Sequence, residues 1–94
     1  MTPEEEVQRG LDAERLLREP LLVEAFEILE TEYTRAWQTS PVRDVEGREK
    51  LFLTQLMLTR VKDHLRIAMQ DGQLAQKRSL ADRARQVGRK LLRD

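Results

Sequence analysis

Apolar residues recur at alternating intervals of four and three along two stretches of this chain, and this spacing constrains its fold more than any other feature. The first stretch carries Leu22, Phe26, Leu29, Tyr33 and then Ala36 or Trp37. The second carries Leu51, Thr54, Leu58, Val61, Leu65 and Ala68. Side chains three and four positions apart share one face of an α-helix, so both stretches predict amphipathic helices.

Two prolines set the predicted helix ends in the first part of the chain. Pro3 suits the first turn of a helix, which we predict over residues 3–18. Pro20 lacks a backbone N–H and disfavours the helical conformation at Glu19, so we expect a kink there. A second helix is then predicted over residues 20–38.

The middle of the chain contains its clearest loop, over residues 39–44. Asp44 is suited to cap a third and longest helix, predicted over residues 45–71. Gly72 follows, and glycine is common just after a helix end, so we expect this helix to stop there. Residues 77–94 are then predicted to form a separate basic helix or tail.

These elements predict an all-α fold, because short loops place successive helices antiparallel. We expect residues 1–76 to form an antiparallel helical hairpin with a kinked N-terminal leader helix, followed by the basic C-terminal helix. In this hairpin the two apolar faces pack together. The contacting residues are expected to be Leu22, Phe26, Leu29 and Tyr33 on one side and Leu51, Leu58, Val61 and Leu65 on the other.

The third predicted helix carries a second apolar stripe on its flank, formed by Phe52, Leu56 and Ile67. One neighbouring helix cannot cover two stripes. We therefore expect this stripe to contact either another subunit or the chain's own first segment, and we treat these residues as a candidate interface. The fold is accordingly expected to be oligomeric.

Trp37 allows two interpretations. It can meet Phe52 near the loop in a buried aromatic cluster that closes the hairpin. Alternatively it is partly exposed and anchors an interface, since tryptophan is enriched at binding hot spots.

Composition excludes most catalytic chemistry. The chain has no cysteine and a single histidine, which leaves no thiol nucleophile, disulfide framework or histidine cluster. Its glycines are isolated and its glutamates lack a Glu-x-x-His partner, so neither a phosphate loop nor a dimetal site is expected. We expect no catalytic residue, metal or cofactor, and a protein that is not an enzyme.

No apolar run approaches the roughly 18 residues that cross a membrane, and the acidic start does not resemble a signal peptide. The sequence therefore predicts a soluble intracellular protein without a membrane partner.

Charge is distributed unevenly although the formal net charge is zero. Residues 1–34 carry ten acids and three arginines, whereas residues 73–94 carry seven bases and two aspartates. The candidate contact residues of this basic end are Lys77, Arg78, Arg83, Arg85, Arg89, Lys90 and Arg93. They suit DNA phosphates or an acidic segment of a neighbouring subunit, and a solvated tail is the remaining interpretation.

The sequence RLLREPLLVEAF (residues 15–26), followed by Tyr33, Ala36-Trp37 and the stretch 44–52, resembles small helical proteins of tailed phages and prophages. The resemblance implies a phage context, in particle assembly or genome packaging, within the host cytoplasm or the virion. It transfers no functional residue.

The resemblance covers about residues 13–76 and leaves the basic end outside. Three functions are compatible with these observations. The leading one is a non-enzymatic phage protein that oligomerises and binds another particle component. The second is a small DNA-binding packaging or regulatory subunit that uses the basic end. The third is an inhibitor of a host protein.

Overall fold

A computed structural model describes residues 1–93, with Arg93 described as backbone only. Over these residues the chain contains three helices and no strand, which confirms the prediction of an all-α protein. The helices are α1 (Pro3–Arg18), α2 (Pro20–Thr39) and α3 (Val45–Arg93).

Helix α1 begins with a side-chain cap and ends at a proline. The Thr2 hydroxyl accepts a hydrogen bond from the Glu5 backbone N–H at 3.2 Å. At the other end Glu19 is extended, with φ −66° and ψ 115°, and α2 begins directly at Pro20. Because Pro20 has no N–H to donate into the preceding turn and disfavours a helical Glu19, one extended residue separates the two helices.

The connection between α2 and α3 is closed by polar contacts. An Asp44 carboxylate oxygen accepts from the Gly47 backbone N–H at 3.0 Å and thereby caps α3. Arg48, which follows Gly47 in α3, donates from Nη1 to the Trp37 carbonyl at 3.2 Å. The same nitrogen donates to the Ser40 hydroxyl at 2.9 Å. The Trp37 carbonyl also accepts from the Ser40 backbone N–H at 3.3 Å and from the Ser40 hydroxyl at 2.6 Å, so Arg48 joins the capped end of α2 to the start of α3.

Helices α2 and α3 run in opposite directions, as their paired contacts show. The Glu30 carboxylate binds Lys62 Nζ at 2.9 Å. One turn further along α2, the Thr34 hydroxyl donates to the Gln55 side chain at 3.2 Å. The residue numbers of the contacting positions therefore decrease on α3 as they increase on α2.

Helix α1 packs against α3 through small residues. The buried positions of the described chain are Gly10, Ala13, Ala68, Gly72 and Ala75. At the centre of this contact, a Cβ placed on Gly10 would lie 2.7 Å from the Cα of Gly72. Because these side chains are small, the backbones of α1 and α3 approach each other closely. The larger leucines of α2 do not permit so close an approach to α3.

The expected helix end at Gly72 is wrong. Helix α3 continues through Gly72 to Arg93, so the basic segment is a continuation of the third helix and not a separate one. A capping glycine usually adopts a positive φ, and no glycine of residues 1–93 does so. Gly72 has instead a helical conformation and lacks a side chain because α1 crosses α3 at this point.

The expected apolar contact between α2 and α3 forms in part. Six of its eight residues are half-buried, namely Leu22, Phe26, Tyr33, Leu51, Leu58 and Leu65. Val61 is 51% exposed and Leu29 is 37% exposed, so these two are less covered than the other six. A single helix covers this part of α3 from one side, which leaves the edges of the apolar face open.

The molecule is elongated, with extents of 78 × 25 × 19 Å. At about 1.5 Å per residue, α3 alone is roughly 73 Å long, whereas α1 and α2 together span roughly 54 Å. The far end of α3 therefore extends about 20 Å beyond α1. We call this segment, residues 79–93, the C-terminal arm.

Candidate interaction surfaces

The stripe predicted from Phe52, Leu56 and Ile67 is uncovered by the described chain. Phe52 and Ile67 are each 55% exposed, and Leu56 is 36% exposed. Leu53 and Leu74, each 48% exposed, extend it along α3. We call these five residues the outer stripe. At 100° per residue, Leu56, Ile67 and Leu74 fall within about 20° of one another, on the side of α3 opposite Leu58 and Leu65, which face α2.

The chain's own first segment does not cover the outer stripe. Helix α1 contacts α3 at Ala68, Gly72 and Ala75, on a different side of the helix. The interpretation that α1 covers this stripe is therefore wrong. The physical reason is the close backbone approach of Gly10 and Gly72, which only these small side chains allow.

Trp37 lies at the end of α2 and is 37% exposed. The guanidinium of Arg48 stacks over its ring, 4.9 Å from the ring centre, as in a cation–π pair. The expected buried cluster of Trp37 with Phe52 is wrong, because both rings are exposed and Arg48 takes one face of the indole. The exposed part of Trp37 remains available to a partner.

The C-terminal arm carries both apolar and basic residues. Its apolar residues Leu80, Val87 and Leu91 are 56%, 57% and 73% exposed. Its basic residues Arg83, Arg85, Arg89 and Lys90 are exposed as well, as are Lys77 and Arg78, which directly precede the arm. The Arg93 side chain, also a candidate contact, lies outside the described part of the chain, as does Asp94.

The helix interruption at Glu19 creates a cleft that sequence reasoning missed. It has a volume of about 430 Å³ and lies between the α1–α2 junction and α3. Its apolar lining consists of Leu16, Leu17, Leu22, Val23, Phe26, Leu65 and Met69. Recognising it from the sequence requires knowing that Leu65 and Met69 of α3 lie beside the α1–α2 junction, which no local pattern shows.

Charged side chains surround the cleft, and most of them are paired. Glu14 binds Arg18 at 3.0 Å, and Arg66 binds Asp63 at 3.1 Å. Glu27 also lines the cleft and is exposed, and it takes part in none of the ion pairs found within residues 1–93. The cleft is therefore an apolar groove with an acidic edge on α2.

The remaining polar residues of interest are dispersed. His64 is exposed and its Nε2 lies 3.4 Å from Arg9 Nη2. Glu24 and Glu27 are exposed on α2. Within residues 1–93, no three histidine or acidic side chains converge in an arrangement that could hold a metal ion.

The helices of residues 1–93 include none with a stretch long and apolar enough to cross a membrane. No protein family, curated protein or solved structure matches the chain in comparisons of sequence and fold. The interaction surfaces described above therefore carry the functional argument.

Proposed function

We propose that this chain is a non-enzymatic phage protein, an oligomeric helical hairpin that acts by binding another component of the particle during assembly or genome packaging. The phage context rests on the resemblance of residues 15–26 and their surroundings to small phage and prophage proteins. The mode of action rests on one observation: the outer stripe is exposed and presents two apolar groups along α3, Phe52 with Leu53 and Leu56, and Ile67 with Leu74.

The surface area of the isolated chain supports a binding role. Its accessible surface is 7940 Å². A compact monomer of the same mass exposes about 5,700 Å². The difference, roughly 2,200 Å², exceeds the area that one protein contributes to a specific interface, about 600–1,000 Å². The chain thus has more surplus surface than one stable partner would cover.

The apolar character of this surface points the same way. Large contiguous apolar patches on a soluble protein mark interaction sites or cause aggregation. On α3 the charged residues Arg60 and Asp63 lie between Leu56 and Ile67, so the stripe offers two short apolar patches to a partner. Trp37, exposed near the loop end of α2, is a separate aromatic residue that can anchor a partner.

A charge placed on the outer stripe tests this proposal. Leu56→Glu is expected to dissociate the oligomer, or to abolish binding of the particle component, while helicity measured by circular dichroism is retained. Met57→Glu is the matched control, because Met57 is 67% exposed and lies about 100° around α3 from Leu56. Sedimentation velocity reports the mass of each variant. Equal masses and equal partner binding for both variants would contradict the proposal.

The phage context has its own test. The gene is expected to lie among head, tail or packaging genes of a phage or prophage. A position among unrelated metabolic genes would contradict a role in particle assembly.

DNA binding is the second candidate function, and the C-terminal arm is the observation that favours it. The arm holds its bases on a helix that projects about 20 Å from the rest of the chain, where a duplex has access to them. Bases held in this way neutralise backbone phosphates and bind with little sequence preference. A salt titration that tests this function is given in the Discussion.

A further inference from the structure

We propose that the outer stripe binds the outer stripe of a second copy of this chain, with the two α3 helices antiparallel and a two-fold axis midway between Arg60 and Asp63. This inference rests on the proposed function, because it names a partner of the same surface. It adds an orientation and a register, which are tested separately from binding to a particle component.

The two apolar groups of the stripe lie on opposite sides of this axis. Leu56 and Ile67 each lie five and a half positions from it, one before and one after. Antiparallel pairing therefore brings Leu56 of one copy level with Ile67 of the other. Phe52 comes level with a point between Ile67 and Leu74 of the second copy, about 6 Å and 5 Å from them along the helix axis. Each apolar group thus faces the other group of the second copy, and the two-fold symmetry forms this contact twice.

The charges between the apolar groups become complementary in this arrangement. Arg60 comes level with Asp63 of the second copy, and the symmetry repeats the pair. Arg60 is exposed and takes part in none of the ion pairs found within residues 1–93. Asp63 binds Arg66 of its own chain through Oδ1 at 3.1 Å, and its side chain is 51% exposed. Its second carboxylate oxygen can therefore accept from Arg60 of the other copy.

The same charges oppose the other ways of pairing two stripes. A parallel pairing would set Arg60 beside Arg60 and Asp63 beside Asp63. An antiparallel pairing shifted by three residues would set Arg60 beside Arg60 in one direction and Asp63 beside Asp63 in the other. Like charges in contact select against a register, so charge fixes the orientation and the apolar groups supply the affinity.

The described helices of the chain leave this side of α3 accessible. At 100° per residue, the outer stripe lies about 150° around α3 from the residues that face α2, and about 120° from those that face α1. The first set is Leu51, Gln55, Leu58, Lys62 and Leu65, and the second is Ala68, Gly72 and Ala75. In the dimer α1 and α2 therefore lie away from the contact, and neither obstructs it.

The ends of the paired segment neither favour nor oppose the dimer. Glu49 comes level with Leu74 of the second copy, and lies about one turn from both Asp71 and Arg78 of that copy. One of these neighbours repels Glu49 and the other attracts it. Asp71 is exposed and lies about 50° to the side of the stripe, where water reaches it.

The C-terminal arms take no part in this contact. Val45, at the start of α3, comes level with Arg78 of the second copy, so residues 79–93 extend past the paired segment, one arm at each end. Binding of DNA by the arms is therefore compatible with the dimer.

Cross-linking of introduced cysteines tests the register, because the chain contains no cysteine of its own. The Leu56→Cys/Ile67→Cys double variant is expected to give a covalent dimer with a short bismaleimide reagent. The two single variants are the matched controls and are expected to give none, because identical positions of the two copies lie about 16 Å apart along the axis. A parallel dimer would instead cross-link in the single variants. Cross-linked single variants, or a double variant that does not cross-link, would overturn the proposal.

Charge reversal tests the pair at the axis. Arg60→Glu and Asp63→Arg are each expected to raise the dissociation constant of the dimer about tenfold or more, since two attractions become two repulsions. An equimolar mixture of these two variants is expected to regain the wild-type affinity, because the mixed dimer again pairs opposite charges. Lys50→Glu is the control and should leave the affinity unchanged, because Lys50 is exposed on another side of α3. Sedimentation over a concentration series measures these constants, and wild-type affinity in the Arg60→Glu protein would contradict the pair.

The dimer and the proposed function fail in different ways. If Leu56→Glu abolishes binding of a particle component while the double cysteine variant does not cross-link, the dimer is overturned and the proposed function stands. If the double variant cross-links and the dimer binds no particle component, the dimer stands and the proposed function fails. A wild-type protein that is monomeric at tens of micromolar would also overturn the dimer.

Discussion

Gly10 of α1 and Gly72 of α3 lie backbone to backbone, and an added Cβ on either glycine would lie 2.7 Å from the Cα of the other. The two residues are far apart in the sequence, and together they fix where α1 crosses α3. Ala13, Ala68 and Ala75 extend the contact on both sides. In a chain whose larger apolar residues are all at least partly exposed, this crossing is the most completely buried part of the fold.

Alanine at Gly72 is expected to destabilise the protein. The new methyl group would overlap the Gly10 backbone and lie 3.0 Å from the Glu6 carbonyl oxygen, so the helices must separate. Overpacking of this kind costs about 1–3 kcal/mol, against a gain in helix propensity of about 0.5–1 kcal/mol. Urea unfolding measures the difference.

Gly88→Ala is the control for this substitution. Gly88 lies in the same helix and has no atom within 4 Å of an added Cβ, so its replacement is expected to stabilise α3 by about 0.5–1 kcal/mol. Equal stabilities of the Gly72→Ala and Gly88→Ala proteins would show that the crossing does not form in solution.

Arg48→Lys is expected to lower the free energy of unfolding by about 1–2 kcal/mol. A lysine lacks the planar guanidinium, which stacks on the indole ring while its Nη1 donates to the Trp37 carbonyl and to Ser40. Lys50→Gln serves as the comparison, because Lys50 pairs with Glu46 on the exposed surface and its loss should change stability by less than about 0.5 kcal/mol. Tryptophan fluorescence is expected to change in the first variant only.

Phe26→Ala and Leu58→Ala are expected to destabilise the contact between α2 and α3. Full burial would make each truncation cost about 2–5 kcal/mol, but both side chains are half-buried and the expected loss is near the lower end of that range. Thermal unfolding followed by circular dichroism measures it. Leu92→Ala, at a residue that is 89% exposed, should leave the melting temperature unchanged. Unchanged melting of both core variants would contradict the helix pairing.

Removal of residues 77–94 tests the basic end. The shortened chain keeps Gly72 and Ala75, so α1 retains its contact with α3 and the protein is expected to fold. If the arm binds DNA, the wild-type affinity falls with salt at a log–log slope of about −0.9 per phosphate contact, and the truncation abolishes binding.

The Arg85→Gln/Arg89→Gln variant refines this test without removing the helix. Both residues lie beyond the outer stripe, so association of the chains should persist while the magnitude of the salt slope falls by about 1.8. Wild-type protein that does not bind DNA at low salt would exclude the DNA-binding function.

Local sequence signals predict where helices form, but they do not predict the contacts between helices that are distant in the sequence. Proline at position 20 interrupts the chain wherever it folds, because the missing N–H is a property of the residue itself. Gly72 is different: a glycine after an apolar stretch can cap a helix or admit a neighbouring backbone. Whether Gly72 caps the helix or admits a neighbouring backbone depends on Gly10, which the fold brings to the opposite position.

The candidate surfaces likewise differ in whether local sequence signals predict them. The outer stripe follows from the helical period alone, so Phe52, Leu56 and Ile67 could be identified from the sequence. The cleft could not, because it needs the junction at Glu19 and the middle of α3 to lie side by side. The arm's projection likewise depends on how far α1 and α2 reach along α3.

Because α3 is one uninterrupted helix, it fixes the distance between the surfaces that it carries. Ile67 and Val87 are separated by twenty residues, which fixes them about 30 Å apart along the axis. Inserting seven residues between them would lengthen this distance by about 10 Å and nearly preserve the relative direction of the two side chains. Inserting two would turn one surface by about 160° relative to the other. Partners bound at the outer stripe and at the arm are therefore held at a spacing and an angle that the number of intervening residues determines.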